Sequence, residues 1–178
     1  MPRVMGGEEQ VVVDGAFLEQ IPIFGGLPAP ALARIAATLK VLHVGPGTRV
    51  ISEGEPAATM LIVGEGEMEV CKRGPASEEF RLAVLRRGDC VGEMSLIDIQ
   101  PRSATVQALG PAVLYVLTHA EIARLQGTDL EAYTMLVMNI AREISRRLRG
   151  ADRLLASIGV TDPTLWISPP ARSAGGPR

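Results

Sequence analysis

From Gly92 to Ala104 the chain reads GEMSLIDIQPRSA, which sets a glycine, a carboxylate, a guanidinium and a hydroxyl close together. A glycine where a strand gives way to a short helix lets backbone N–H groups approach a bound group closely, and the amides at a helix start favour an anion. Pro101 forces Gln100 out of helical geometry, so the helix ends and the chain runs extended into Arg102. The planar fork of Arg102 matches two phosphate oxygens, and the Ser103 hydroxyl is a further donor beside it. These residues describe a pocket for one phosphate group.

Glu93 conflicts with that pocket, because a carboxylate a few ångströms from a phosphate repels it. A ribose 2′-hydroxyl that donates to the carboxylate removes the conflict. The chemistry that satisfies both halves is a phosphate and a free 2′-hydroxyl on one compact ring, as in a 3′,5′-cyclic nucleotide. The alternative is an internal Glu93–Arg102 ion pair in a domain that takes no ligand.

The elements that must position these groups are mostly short strands. KVLHV, GPGTRVIS, EGEPAATMLIVGEGEMEVCKRG, EEFRLAVLRRGDCVG and SATVQALGPAVLYVL are apolar runs cut by Gly and Pro. Turn signals about every ten residues predict a compact all-β unit, a roll or barrel. Ahead of it, Phe17 to Phe24 forms an apolar helical turn, and Pro28 and Pro30 suit the start of a helix carrying Leu32, Ile35 and Leu39. Thr118 and Glu121 have the spacing of a capping box, which opens a helix through about Leu125.

From Thr128 the period is helical. Leu130, Thr134, Val137, Ala141, Ile144, Leu148, Ala151, Leu155 and Ile158 follow alternating steps of four and three, the seam of a coiled coil. Tyr133, Leu136 and Ile140 widen the apolar face of the first half, so the first half is expected to pack on the roll and the second half to pair with a partner helix. Gly150 marks a weak point in that helix. Residues 1–14 read as a flexible arm, and 158–178, rich in Pro, Gly and Ser, as a mostly disordered tail.

At 178 residues and 47% hydrophobic content the chain has material for a core. Its 18 basic and 20 acidic residues give a net charge of -2, which argues against a coat for nucleic acid or an anionic membrane. Cys71 and Cys90 lie in apolar runs and read as packing residues in a reducing cytoplasm. No stretch approaches the ~18 apolar residues of a membrane span, and the N-terminus has no sustained apolar signal region.

The Gly92–Ala104 stretch resembles the phosphate-binding cassette of cyclic nucleotide-binding domains, the family of the bacterial catabolite activator protein, protein kinase A regulatory subunits and cyclic-nucleotide-gated channels. Gly92, Glu93, Leu96, Pro101, Arg102, Ser103 and Ala104 carry the resemblance, which extends over about residues 17 to 157. It implies a mainly β fold with flanking α: an eight-stranded, jelly-roll-like β-roll with N-terminal helices and a long C-terminal helix. The domain would span 15–157, with the cassette at 92–105 and the closing helix at 128–157. Glu93 is implied to take the ribose hydroxyl, and Arg102 and Ser103 the cyclic phosphate, with Gly92 and the amides of Met94, Ser95 and Ala104 assisting. Asp152 would read the base and Leu154 or Leu155 cover it.

The implied protein is a non-catalytic sensor of cAMP, favoured over cGMP, that forms a homodimer and signals through its C-terminal helix to a protein effector. Transcription regulators resembling it carry a helix-turn-helix after the long helix, whereas only a Pro-rich tail follows here, so no DNA-reading role is expected. A ligand-free assembly scaffold and a truncated transcription regulator are the alternatives. His43 and His119 are too few and too far apart for a metal site, and no resident cofactor is expected. No Ser-His-Asp, Cys-His or paired-carboxylate arrangement points to an enzyme. The arginines from Arg142 to Arg153 fit the helix dipole and solvation, and Trp166 is a mobile or opportunistic tail aromatic.

Overall fold

The structure is a computed structural model that describes residues 13–74, 76–98, 100–157 and 159. It begins with helix α1 (Gly15–Glu19), a 3-10 turn (Pro22–Phe24) and helix α2 (Ala29–Thr38). Asp14 caps α1 by accepting a hydrogen bond from the Ala16 amide at 2.9 Å, and Val13 is buried. The fold therefore takes in the last two residues of the expected flexible arm, while 1–12 lie outside the described residues. Pro28 precedes α2 and Pro30 stands in its first turn, where a missing N–H leaves no helical bond unmade.

Eight strands follow: β1 (Lys40–Val44), β2 (Arg49–Ile51), β3 (Thr59–Glu65), β4 (Met68–Arg73), β5 (Glu79–Leu85), β6 (Cys90–Val91), β7 (Thr105–Ala108) and β8 (Ala112–Thr118). They form two four-stranded sheets in the orders β1-β8-β3-β6 and β2-β7-β4-β5, with antiparallel pairing throughout. This is the eight-stranded roll expected from the sequence.

Burial explains the strand patterns. Leu61 and Val63 of β3 enter an apolar cluster with Ile51, Met68, Leu85, Val106 and Leu114, drawn from both sheets. Met60 and Ile62, on the opposite face, enter a second cluster with Leu18, Phe24, Leu32 and Ile35 of the helical layer. A strand buried on both faces loses polar alternation, which is why β3 reads as the unbroken run MLIV. Cys90 sits in the helical-side cluster. Cys71 is also buried, and burial, with the Glu69 and Glu79 carboxylates adding to it, pushes its thiol pKa up. Such a thiol stays neutral and packs.

The capping box is present: Thr118 Oγ1 accepts from the Glu121 amide at 3.3 Å, and Glu121 Oε2 accepts from the Thr118 amide at 2.7 Å. Helix α4 (His119–Thr128) runs past Leu125, the end expected from the sequence. Asp129 then accepts from the Ala132 amide at 3.0 Å, and α5 (Leu130–Ser157) begins.

Two compact units are distinguished, one ending at Ile144 and one starting at Ser145. In the first, α5 buries Ala132, Leu136, Asn139 and Ile140, with Tyr133 partly buried against the helical-side cluster. Asn139 Nδ2 donates to the carbonyls of Ile23 at 3.2 Å and Gly25 at 2.8 Å, tying α5 to the 3-10 turn. Leu130, Thr134 and Ala141 of the seam are exposed on this unit. In the second unit Leu148, Leu154 and Leu155 are exposed. Ile158, Trp166 and nearly all of the expected tail lie outside the described residues. Among the described residues no helix is long and apolar enough to cross a membrane.

Candidate functional site

The candidate site lies where β6 turns into α3 (Met94–Ile97). Gly92 makes the turn at φ +85°, in the left-handed region. The β3–β6 ladder pairs Leu61 with Val91 and Ile62 with Cys90, so the start of β3 is drawn alongside the turn. A Cβ at Gly92 would lie 2.9 Å from the Thr59 carbonyl oxygen and run into Arg102 Nη1. Only glycine serves here, on both counts.

Arg102 lies against that glycine. Its Nη2 donates to Thr59 Oγ1 at 2.9 Å and its Nη1 to Ser95 Oγ at 3.3 Å. Its backbone is fixed as well: its amide donates to the Glu55 carbonyl, and its carbonyl accepts from the Gly54 amide, both at 2.9 Å. Burial pulls the guanidinium pKa down from its ordinary value, and the Glu55 and Glu93 carboxylates act against that. The result is a half-buried cation with two N–H groups given to neutral hydroxyls, which leaves capacity for an anion.

Glu93 is 3% exposed, an unusual burial for a carboxyl group. Ser95 is buried too, and its hydroxyl donates to the Gly92 carbonyl at 2.6 Å. The Ser95 amide donates to the same carbonyl at 3.2 Å. Met94 is exposed, Ser103 is exposed and Ala104 is half-buried. The turn thus brings Gly92, Glu93, Ser95 and Arg102 together, with Ser103 and Ala104 next in the chain. Asp152 and Leu155 lie on the second unit's part of α5 and are exposed.

Four features of the site were not found by reading the sequence. Thr59 seats the guanidinium. Glu55 holds the Arg102 backbone and adds charge beside it. Lys72 on β4 donates to the Ser103 carbonyl at 2.6 Å and pairs with Glu53 at 2.7 Å. Phe80 and Leu82 stand exposed on β5, an edge strand, with Phe80 directly across from Lys72. Two exposed apolar side chains in the run SEEFRLAV give no signal by themselves; the pairing of Phe80 with Lys72 places them near the site. Among the described residues no group of three or more His, Cys, Asp or Glu is arranged to hold a metal.

Comparison with known proteins agrees with this geometry. The profile described as cyclic nucleotide-binding domain matches residues 41–129, and the chain belongs to that family. A cAMP-dependent protein kinase regulatory subunit from Mycosarcoma maydis is 39% identical over 110 residues, 60% of this chain and 21% of that protein. A cyclic nucleotide-binding domain from Methylobacillus flagellatus superposes with a TM-score of 0.71 at 24% identity, covering 80% of each chain. The regulatory domain of Toxoplasma gondii PKA, crystallised with cAMP, gives a TM-score of 0.62 at 26% identity, over 72% of this chain and 48% of that one. The chain spans between 21% and 34% of the length of the first curated relatives it matches.

Proposed function

We propose that this protein is a cytoplasmic, non-catalytic sensor that binds a 3′,5′-cyclic mononucleotide, cAMP in preference to cGMP. The observation that carries the reading is the half-buried Arg102 seated over Gly92 with the buried Glu93 within electrostatic reach. Arg102 and Ser103 hold the cyclic phosphate, with the amides near Gly92 and Ala104 assisting, and Glu93 accepts from the 2′-hydroxyl. The base lies toward the exposed apolar side chains Phe80 and Leu82. An Arg-Ser cassette and the likeness to a PKA regulatory domain crystallised with cAMP support the preference.

Titration calorimetry with cAMP and cGMP tests the reading. A ligand of roughly 20 heavy atoms at about -0.3 kcal/mol per atom gives an affinity on the order of micromolar, and the nucleotide is recovered intact. Absence of both heat and thermal stabilisation with either nucleotide refutes it. For Glu93, the expected result is that Glu93→Gln weakens the ribonucleotide more than its 2′-deoxy analogue. Equal losses would show that Glu93 does not meet the ribose.

The output passes through α5, whose first half supplies Ala132, Leu136 and Ile140 to the helical-side core and whose second half carries exposed leucines. Leu148 and Leu155 of the seam, at 55% and 47% exposure, supply an apolar face suited to a second copy of the same helix. The protein is accordingly a homodimer whose ligand state is read by a protein effector. Leu148→Arg leaves the roll folded and gives a monomer in sedimentation; a monomeric parent at high micromolar concentration, with and without nucleotide, refutes the pairing.

A further inference from the structure

The Lys72 ammonium is used by none of the roles above, yet it reaches across from β4 to the last part of the cassette. Its Nζ donates to the Ser103 carbonyl oxygen at 2.6 Å and lies 2.7 Å from Glu53 Oε1. Glu53 is itself fixed: its Oε2 accepts from the Arg73 amide at 3.0 Å, and its amide donates to Thr105 Oγ1 at 3.2 Å. The ammonium is therefore not a loose surface charge. It is held by a carboxylate that two neighbouring strands keep in place.

Resting on the cyclic nucleotide reading, we propose that Lys72 is a positioning residue for the phosphate subsite, acting through the Ser103–Ala104 peptide. A trans peptide is planar, with its C=O and N–H pointing opposite ways. Once Lys72 draws the Ser103 carbonyl to itself, the Ala104 N–H is aimed to the other side. The negative end of that peptide dipole is turned away from an anionic ligand and covered by an ammonium. A carbonyl left free beside a phosphate would instead repel it. The contact also polarises the amide, which makes its N–H a better donor. Arg102, one residue earlier, is held independently by Glu55, Gly54 and Thr59, so loss of Lys72 leaves the guanidinium seated and affects the next peptide.

The Glu53 carboxyl is held below its ordinary value of 4.5, first by its hydrogen bond from Lys72 and then by that from the Arg73 amide. A lowered carboxylate pKa means that the pair is intact above the ordinary value and is lost as pH falls through the lowered one. The clamp is closed at neutral pH.

The test compares the full-length parent with Lys72→Met, which keeps the apolar stem and removes the charge, and with Lys72→Arg, which restores a donor. Calorimetry is expected to show about fivefold weaker binding for Lys72→Met, the weight of one ordinary hydrogen bond, equally for cAMP and cGMP, and near-parent binding for Lys72→Arg. The ratio of affinities for the two phosphorothioate diastereomers of cAMP shifts in Lys72→Met, which a purely structural role would not cause. The Ala104 amide resonance moves in the nucleotide-free variant. Should Lys72→Met not fold, Glu53→Gln loosens the same ammonium and gives the same pattern in smaller measure. Parent-like affinity and diastereomer ratio in Lys72→Met overturn the clamp and leave the sensor reading standing, as does a loss confined to one base. A parent that binds neither nucleotide overturns the sensor reading and the clamp with it.

Discussion

Arg102→Ala is expected to bind cAMP and cGMP about ten- to hundredfold more weakly than the parent, the loss of a charge-assisted contact worth ~1.5–3 kcal/mol. The loss comes from the ligand side. In the free protein the guanidinium gives hydrogen bonds to two hydroxyls, at 2.9 and 3.3 Å, and its burial disfavours its charge. Removing it relieves that desolvation while depriving Glu55 and Glu93 of a countercharge, so the two changes oppose each other and the melting temperature without ligand moves little. The nucleotide-dependent shift responds instead. At 100 times Kd the parent gains ~2.7 kcal/mol from ligand, and the variant at the same concentration gains far less. Arg102→Lys recovers only part of the affinity, because an ammonium lacks the fork that meets two phosphate oxygens. Affinity of Arg102→Ala within twofold of the parent would show that the phosphate is held elsewhere.

The local chemistry of the cassette was legible because its parts are neighbours in sequence. Gly92, Glu93, Pro101, Arg102 and Ser103 declare a turn, a charge pair and an extended exit by their types alone. The roll was legible for a similar reason, since short apolar runs cut by Gly and Pro leave few options. What remained hidden depends on register. Thr59 meets Arg102 across 43 residues because β3 pairs with β6 in one particular offset, and Lys72 meets Ser103 across 31 because β4 lies beside β7. A threonine and a lysine in those runs carry no mark of the partner they will find.

The long helix illustrates another limit. Its first half bears apolar residues on two sides, one set of Ala132, Leu136 and Ile140 that enters the core and one of Leu130 and Val137 in the seam, flanking it. Periodicity reports both sets at once, and only the packing separates them. The same packing explains Asn139, a polar residue on the buried side, which is satisfied by the Ile23 and Gly25 carbonyls at the end of the 3-10 turn. An unpaired amide there would cost a desolvation penalty of about 1–3 kcal/mol.

Gly92→Ala separates the role of the pocket floor from that of a turn. At φ +85° any side chain is strained, at about 1–3 kcal/mol, and the new Cβ also meets the Thr59 carbonyl at 2.9 Å, a backbone atom that cannot swing aside. The Arg102 guanidinium can move, and it must, because its Nη1 occupies the same space. Gly92→Ala should therefore lose both stability and affinity, with binding reduced at least as far as in Arg102→Ala and the melting temperature lowered by about 2–4 °C per kcal/mol of strain. Gly88→Ala supplies the control. Its φ of +89° imposes comparable strain, but nothing lies within 4 Å of its added Cβ, so it should lose stability and keep its nucleotide affinity. Thermal melts and calorimetry on the two variants side by side decide the matter: if Gly92→Ala keeps parent affinity as Gly88→Ala does, Gly92 is only a turn residue and the seat of Arg102 over it is unimportant for the ligand.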